Sequence, residues 1–338
     1  IYHIIMTNKN IKWGLIIQGH VVTRGHGPNN SETGFSSLNS VDTNIANFSP
    51  YVSKIIVSTW KNSGLYYKLN DLDKVELIES TPPPLFKDHD NSFKQFLSTY
   101  NGAKHLAKDA NITHVLKIRT DQIVDPKIIE WLSYFFEKYN NLVSKENLYK
   151  QGYLVFSDMM KDNLFYMGDF IFAGKSNDIV SFCKSNLKFK YKKIHPSTGK
   201  DYILKHLLLN SSLFWSFFYK YIPLLWQVSN NSNNAIQSYW TYVMKTNMAV
   251  IPSSFFWSII WRDRLMSDII SDPDNNFHFY EDWKKIPPKQ EKNLKLKSFR
   301  FLMPTIEVIQ EVKYELILHW NKKIVHYRRK IKQYFVIK

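Results

Sequence analysis

Apolar residues along this chain fall into short dense runs, separated by polar stretches with helical periodicity. Lys12–Gly19 (KWGLIIQG), Lys54–Trp60 (KIIVSTW) and Lys74–Ser80 (KVELIES) have strand length, and each closes on polar residues. Thr113–Gln122 (THVLKIRTDQ) is a fourth such run, ending abruptly in Arg-Thr-Asp. Helices are predicted between and after them. They cover Ser36–Asn47, Asn91–Lys108 behind the Pro82-Pro83-Pro84 break, and Pro126–Tyr139 with Ile128, Ile129, Leu132, Phe135 and Phe136 on one face. Further strands are expected at Gly168–Ala173 and Met248–Ile251, and further helices at Asn177–Asn186 and Lys200–Leu209. This alternation predicts an α/β fold, a mostly parallel Rossmann-like sheet flanked by helices.

Composition adds three facts. The 338 residues are 44% hydrophobic, enough for one large α/β body with an appendage. Cys183 is the sole cysteine, which excludes a disulfide framework or a multi-cysteine metal site and suits a reducing cytosol. The net charge of +16 is lopsided: from Lys284 to Lys338 there are fifteen Lys/Arg against four Glu, a net +11. The natural start is expected at Met6, since the apolar residues before it lack the charged lead and cleavage site of a secretory signal.

In that tail Ile309, Val312, Leu316, Trp320, Ile324, Tyr327, Ile331 and Tyr334 recur at helical spacing, with basic residues on the other faces. A cationic amphipathic helix on an anionic membrane surface is expected, with a helix packed on its own body as the alternative. No module for specific nucleic-acid recognition accompanies the charge. Leu207–Gln227 is apolar and near spanning length, but Asn210, Lys220 and Pro223 inside it argue for a buried helix or interfacial insert. Phe255-Phe256-Trp257 and Ile259-Ile260-Trp261 are expected to add a second greasy surface.

The candidate chemistry sits at strand ends. In open α/β sheets, ligands bind just outside the carboxyl ends of the strands. Gln18 and Gly19, Ser58 and Thr59, and Arg119 and Asp121 all lie there, and a glycine at 19 lets backbone approach a nucleotide closely. Arg119 suits phosphate oxygens, and Asp121 a sugar hydroxyl or a divalent cation, Mn²⁺ or Mg²⁺. Asp201, at a helix start, is a candidate general base, and Asp169 competes for that role. His278 is a candidate late metal ligand. The Asp-x-Asp pairs Asp71/Asp73, Asp88/Asp90 and Asp272/Asp274 fall in polar or Pro-flanked stretches and read as turn and cap residues. P-loop and dinucleotide glycine patterns, a Gly-x-Ser-x-Gly elbow and a His-Glu-x-x-His pair are absent from the sequence.

Ile17-Gln18-Gly19, Ile55-Ile56-Val57-Ser58-Thr59-Trp60, Asn91-x-x-Lys94-Gln95 with Ser98-Thr99 and Gly102, and Val115-Leu116-Lys117-Ile118-Arg119-Thr120-Asp121 together resemble the WavE-type lipopolysaccharide-synthesis family, over roughly residues 11–205. That resemblance implies a glycosyltransferase of GT-A fold, moving a sugar from a nucleotide-sugar to a hydroxyl of a bacterial surface glycan or glycolipid. It departs from the family where His20 follows Gly19 in place of proline. It departs again where Gly199-Lys200-Asp201-Tyr202 replaces a Pro-Glu segment. On this reading Gln18, Gly19, Ser58 and Thr59 line the base and ribose pocket. Lys94, Gln95 and Arg119 face the diphosphate, with Asn101 nearby on the same helix. Residues 11–283 form the catalytic domain and 284–338 a basic tail that holds it on the inner face of the inner membrane. A nucleotidyl- or polyol-phosphate transferase, or a non-enzymatic basic membrane- or nucleic-acid-binding protein, is the alternative.

Overall fold

Every residue of Trp13–Gln18 is buried, as a strand covered by helices on both faces requires. It is β1 in a computed structural model that describes residues 11–21, 37–61, 73–81, 92–140, 152–160, 167–187, 244–245, 247–270 and 277–286. β2 (Lys54–Trp60), β3 (Val75–Ser80) and β4 (His114–Arg119) join β1 in parallel, in the order β3-β2-β1-β4. After β5 (Gln122–Ile123) come β6 (Leu154–Phe156), β7 (Met159–Met160), β8 (Phe172–Lys175) and β9 (Met248–Val250). The seven-stranded sheet continues β4-β8-β6-β9, with β8 antiparallel to both of its neighbours. The expected Rossmann-like, mostly parallel α/β fold is what forms. The run predicted at Gly168–Ala173 becomes strand only from Phe172, and its reversed direction carried no sequence signal.

Four longer helices cover the sheet: α1 (Ser37–Phe48), α2 (Ser92–Leu106), α3 (Ile128–Asn140) and α4 (Ser176–Leu187). α2 lies over β1 and β2 because Gly102 leaves room for Ile16 and Ile56 beneath it. Phe96 of α2 meets Phe182 of α4 edge-to-face at 5.5 Å, so these two share one face. α3 covers the other face, where Trp13 Nε1 donates to Ser133 Oγ at 2.9 Å and the Trp13 ring packs on Phe136. The short helix Tyr280–Lys285 closes the body. Its fully buried Trp283 donates Nε1 to the carbonyls of Met244 and Met248, at the start of β9.

Two small ladders were not foreshadowed. β10 (Ile260–Trp261) and β11 (Arg264–Leu265) form a hairpin whose first strand pairs with β5, and β12 (Phe277–His278) pairs with β7. The expected greasy surface at Ile259–Trp261 is therefore a strand docked on the body. Asp201, Leu207–Gln227, the Lys200–Leu209 helix and the tail beyond residue 286 lie outside the described residues. Among those described, no helix is long and apolar enough to cross a membrane.

His114, at the start of β4, is buried against Trp13 and Phe136, with its Nδ1 2.9 Å from Thr113 Oγ1. Burial, with Lys175 nearby, pulls its pKa from 6.5 down to about 4. The folded state therefore holds His114 neutral while the unfolded chain protonates it between those values. Its contribution is intact above pH 6.5 and is lost as pH falls toward 4, by about 1.4 kcal/mol per unit and about 3 kcal/mol in all. His114→Phe is expected to shrink the fall in stability between pH 7 and pH 4.5. Urea unfolding of both proteins at the two pH values measures this.

Candidate functional site

Side chains on adjacent parallel strands at matched register point to the same face. Gln18 pairs in register with both Ser58 and Arg119, so these three form a row across the carboxyl ends of β2, β1 and β4. The chain leaves β1 toward β2 on one side and returns, after β3 and α2, to β4 on the other. The order reverses between β1 and β4, and in open α/β sheets the ligand crevice lies at such a switch point.

The exits of both strands are tightly built there. Gly19 adopts φ +148°, its N–H donates to Ser58 O at 3.1 Å, and a Cβ on it would sit 2.4 Å from Thr120 Oγ1. Thr120 reaches back across the switch, its N–H to Gln18 O and its hydroxyl to His20 O, both at 3.0 Å. Beyond it, fully buried Asn44 of α1 donates to Gln122 O at 2.5 Å and accepts from Val124 N–H at 3.2 Å, which fixes the turn after β4.

Between these ties lies Asp121, nearly buried. Arg119 grips it as a fork, Nε to Oδ1 and Nη2 to Oδ2, each at 2.9 Å. Trp261 Nε1 donates to Oδ2 at 2.9 Å, and Arg262 Nε approaches the same oxygen at 3.3 Å. Burial alone would raise the Asp121 pKa. Arg119 first, then Trp261 and Arg262, more than reverse that and hold it below the usual carboxylate range. Aromatic rings support both guanidinium groups. Arg119 lies 5.3 Å from the Phe170 ring, Arg262 lies 5.0 Å from Trp261, and Phe170 meets Trp261 edge-on at 5.4 Å.

One step below Arg119 on the same face, Lys117 is fully buried. Its Nζ donates to Asp169 O at 2.6 Å and sits 5.0 Å from the Phe172 ring. Burial pulls this ammonium down to about 7, against the opposing pull of Asp169. At the end of β6, burial pushes Asp158 up to about 7, with the Ser157 hydroxyl hydrogen-bonded to it at 2.5 Å and Asp169 adding repulsion. Gly168 packs so closely on the Asp158 carboxyl that a side chain there has no room.

The structure brings the expected residues Gln18, Gly19, Arg119 and Asp121 together at the carboxyl ends of β1 and β4, with the Asp169 carbonyl accepting from Lys117 one step below. Ser58 and Asn101 are instead tied within the fold: Ser58 Oγ donates to Ser98 O, and Asn101 Nδ2 donates to Ser80 Oγ. Strand alternation turns Thr59 to the opposite face from Ser58, so the two do not line one pocket. Lys94 and Gln95 stand half-buried in the first turn of α2, and the buried Gln95 Nε2 has no partner among the described residues. His278 pairs with Met159 and faces Asp282, its Nδ1 3.6 Å from Oδ2, rather than joining Asp121.

The divalent-cation expectation does not fit this corner. The Asp121 carboxylate lies between two guanidinium groups, with three of its four donors on Oδ2, and among the described residues no group of three His, Cys, Asp or Glu side chains converges. Sequence reading missed Trp261, Arg262, Lys117 and Asp158. For Lys117 a signal existed: a lone lysine inside an otherwise apolar central strand.

No family model matches the chain, and no curated protein matches it. Among solved structures it is similar to 4-diphosphocytidyl-2C-methyl-D-erythritol synthase from Anaerococcus prevotii, at 16% identity over 64% of this chain and 98% of that one, TM-score 0.34. It is also similar to HddC from Yersinia pseudotuberculosis, at 13% identity over 55% and 84%, TM-score 0.29. A third is mannose-1-phosphate geranyltransferase from Thermus thermophilus, at 11% identity over 58% and 67%, TM-score 0.30. Likeness this faint bears on neither family nor activity.

Gly19→Ala is expected to cost about 1–3 kcal/mol, since it adds both backbone strain and a clash with Thr120. Pairing it with Thr120→Ala removes the clash but not the strain, so denaturant unfolding of the double variant recovers only part of the loss. Lys117→Met removes a buried ammonium of similar length. A lysine whose folded pKa lies below 10.5 costs stability that is regained as pH rises from 7 to 10.5, so the variant's higher melting temperature at pH 6 is expected to fade toward pH 10. Thermal scans across that range read it out.

Proposed function

We propose that this chain is a glycosyltransferase that moves a sugar from a nucleotide-sugar donor to a hydroxyl of a bacterial surface glycan, lipopolysaccharide core or capsule. The observation that carries the reading is the Arg119–Asp121–Arg262 cluster at the switch point between β1 and β4. Two guanidinium groups around one carboxylate leave a net positive corner where this class of sheet binds phosphorylated ligands.

In the proposed reaction the acceptor oxygen forms a bond to the anomeric carbon. The bond from that carbon to the diphosphate oxygen breaks, and the nucleoside diphosphate departs with the bonding pair. Arg119 and Arg262 meet the charge that grows on it. The proton of the acceptor hydroxyl passes to a carboxylate, for which Asp201 and Asp169 are the candidates. Gln18 and Gly19 offer a narrow floor for the nucleotide, and Gln95 Nε2 an amide donor at the head of α2. Residues 11–283 would be the catalytic body. The basic stretch 284–338 would hold it on the anionic inner face of the inner membrane, where a lipid-linked acceptor is within reach.

A panel of UDP-, GDP- and CMP-sugars offered to the full chain with a lipid-linked glycan acceptor tests this. Release of nucleoside diphosphate (or CMP) with matching glycosylation of the acceptor is expected. Pyrophosphate release from a nucleoside triphosphate plus a sugar phosphate, with no transfer from any nucleotide-sugar, would replace this reading by nucleotidyl transfer. Arg119→Lys keeps the charge but loses the fork, so donor KM is expected to rise about tenfold or more, the loss of one charge-assisted hydrogen bond.

A further inference from the structure

We infer that Arg262, delivered by the β10–β11 hairpin, acts with Arg119 as the counter-charge for the donor's diphosphate, in the place a divalent cation would otherwise take. This rests on the nucleotide-sugar reading and specifies how that site neutralises its ligand.

The commitments of the two arginines differ. Arg119 spends two N–H groups on Asp121 at 2.9 Å, and its side chain is 26% exposed. Arg262 makes one longer contact, 3.3 Å from Nε, and its side chain is 42% exposed. Its guanidinium carbon lies 5.0 Å from the Trp261 ring centroid, and among the described contacts only its Nε is committed to Asp121. Trp261 in turn is pinned by its own bond to Asp121. Asp121 thus serves as a positioning residue that aims two cationic forks. A metal on its oxygens would sit beside two guanidinium charges, which oppose it.

The backbone that carries Arg262 points the same way. Arg262 and Asp263 both adopt left-handed conformations, φ 51° and 63°, as the two central residues of a tight hairpin turn do. Asn-Gly satisfies such a turn without strain, whereas arginine at the first position does not. Register fixes the outcome: Trp261 pairs with Gln122, and Arg262 N–H donates to Asp121 O at 3.1 Å, so the strained residue is locked beside the acid. An arginine held in that conformation against a carboxylate is the observation that points to a ligand for it.

Titration calorimetry of the full chain with UDP and GDP, in EDTA and again in Mn²⁺, tests the inference. Equal affinity in the two buffers is expected for whichever nucleotide binds. Arg262→Ala is expected to weaken binding about tenfold or more, as loss of a charge-assisted contact does. Arg264→Ala, which removes the same charge from the next strand, is expected to stay within about twofold, because its guanidinium is turned to Asp268 O. Arg262→Gln, which keeps part of the stem on Trp261, serves if the alanine variant does not fold; circular dichroism checks both. Binding that requires Mn²⁺ and ignores Arg262 would overturn the inference while leaving the nucleotide-sugar reading in place. Absence of nucleotide binding in both buffers would remove that reading, and the inference with it.

Discussion

The carboxylate of Asp121 is the constraint around which this corner of the molecule is organised. A carboxylate taken out of water is costly unless its oxygens are satisfied. Here Arg119 from β4, Trp261 from β10 and Arg262 from the adjoining turn satisfy them. The acid therefore ties together two parts of the chain 140 residues apart, in addition to pairing with its own strand neighbour. The pairing of β5 with β10 makes that geometry reproducible, and Asn44 keeps β5 where the pairing needs it.

Below that corner lies a second, quieter layer of charge. Lys117, Asp158 and Asp169 sit where the antiparallel strand β8 enters between β4 and β6, and two of them are buried to the point that their ionisation is no longer that of a surface group. Burial pulls the lysine toward losing its proton and the acid Asp158 toward keeping one. Arg119 and Arg262 stand above this layer, around Asp121.

The parallel half of the sheet was legible because its strands are continuous apolar runs, and such runs have few alternatives in a chain this size. Lys12–Gly19 and Lys54–Trp60 became β1 and β2 within a residue, and the Arg-Thr-Asp ending of β4 marked where that strand stops. Other elements were hidden for physical reasons. Ile259-Ile260-Trp261 looks like exposed grease until its partner, two residues of β5, is known, and a two-residue ladder carries no periodicity. Ser58 and Thr59 look equivalent in sequence, yet the pleat sends them to opposite faces. The indole of Trp261 was counted for its hydrocarbon, although its N–H is what the site uses. Asp158 gave no signal at all, because its character comes from burial that only the folded chain supplies.

The hairpin at residues 260–265 also has a bearing on how the molecule is made. A ribosome releases the four parallel strands well before it releases Trp261 and Arg262, so a growing chain can assemble most of its sheet while Asp121 and Arg119 have only each other. Long-range pairings of this kind form late. Until the hairpin arrives, the nascent protein has a framework in which Asp121 lacks its Trp261 and Arg262 donors, and the same late step that completes the fold also completes the satisfaction of that carboxylate.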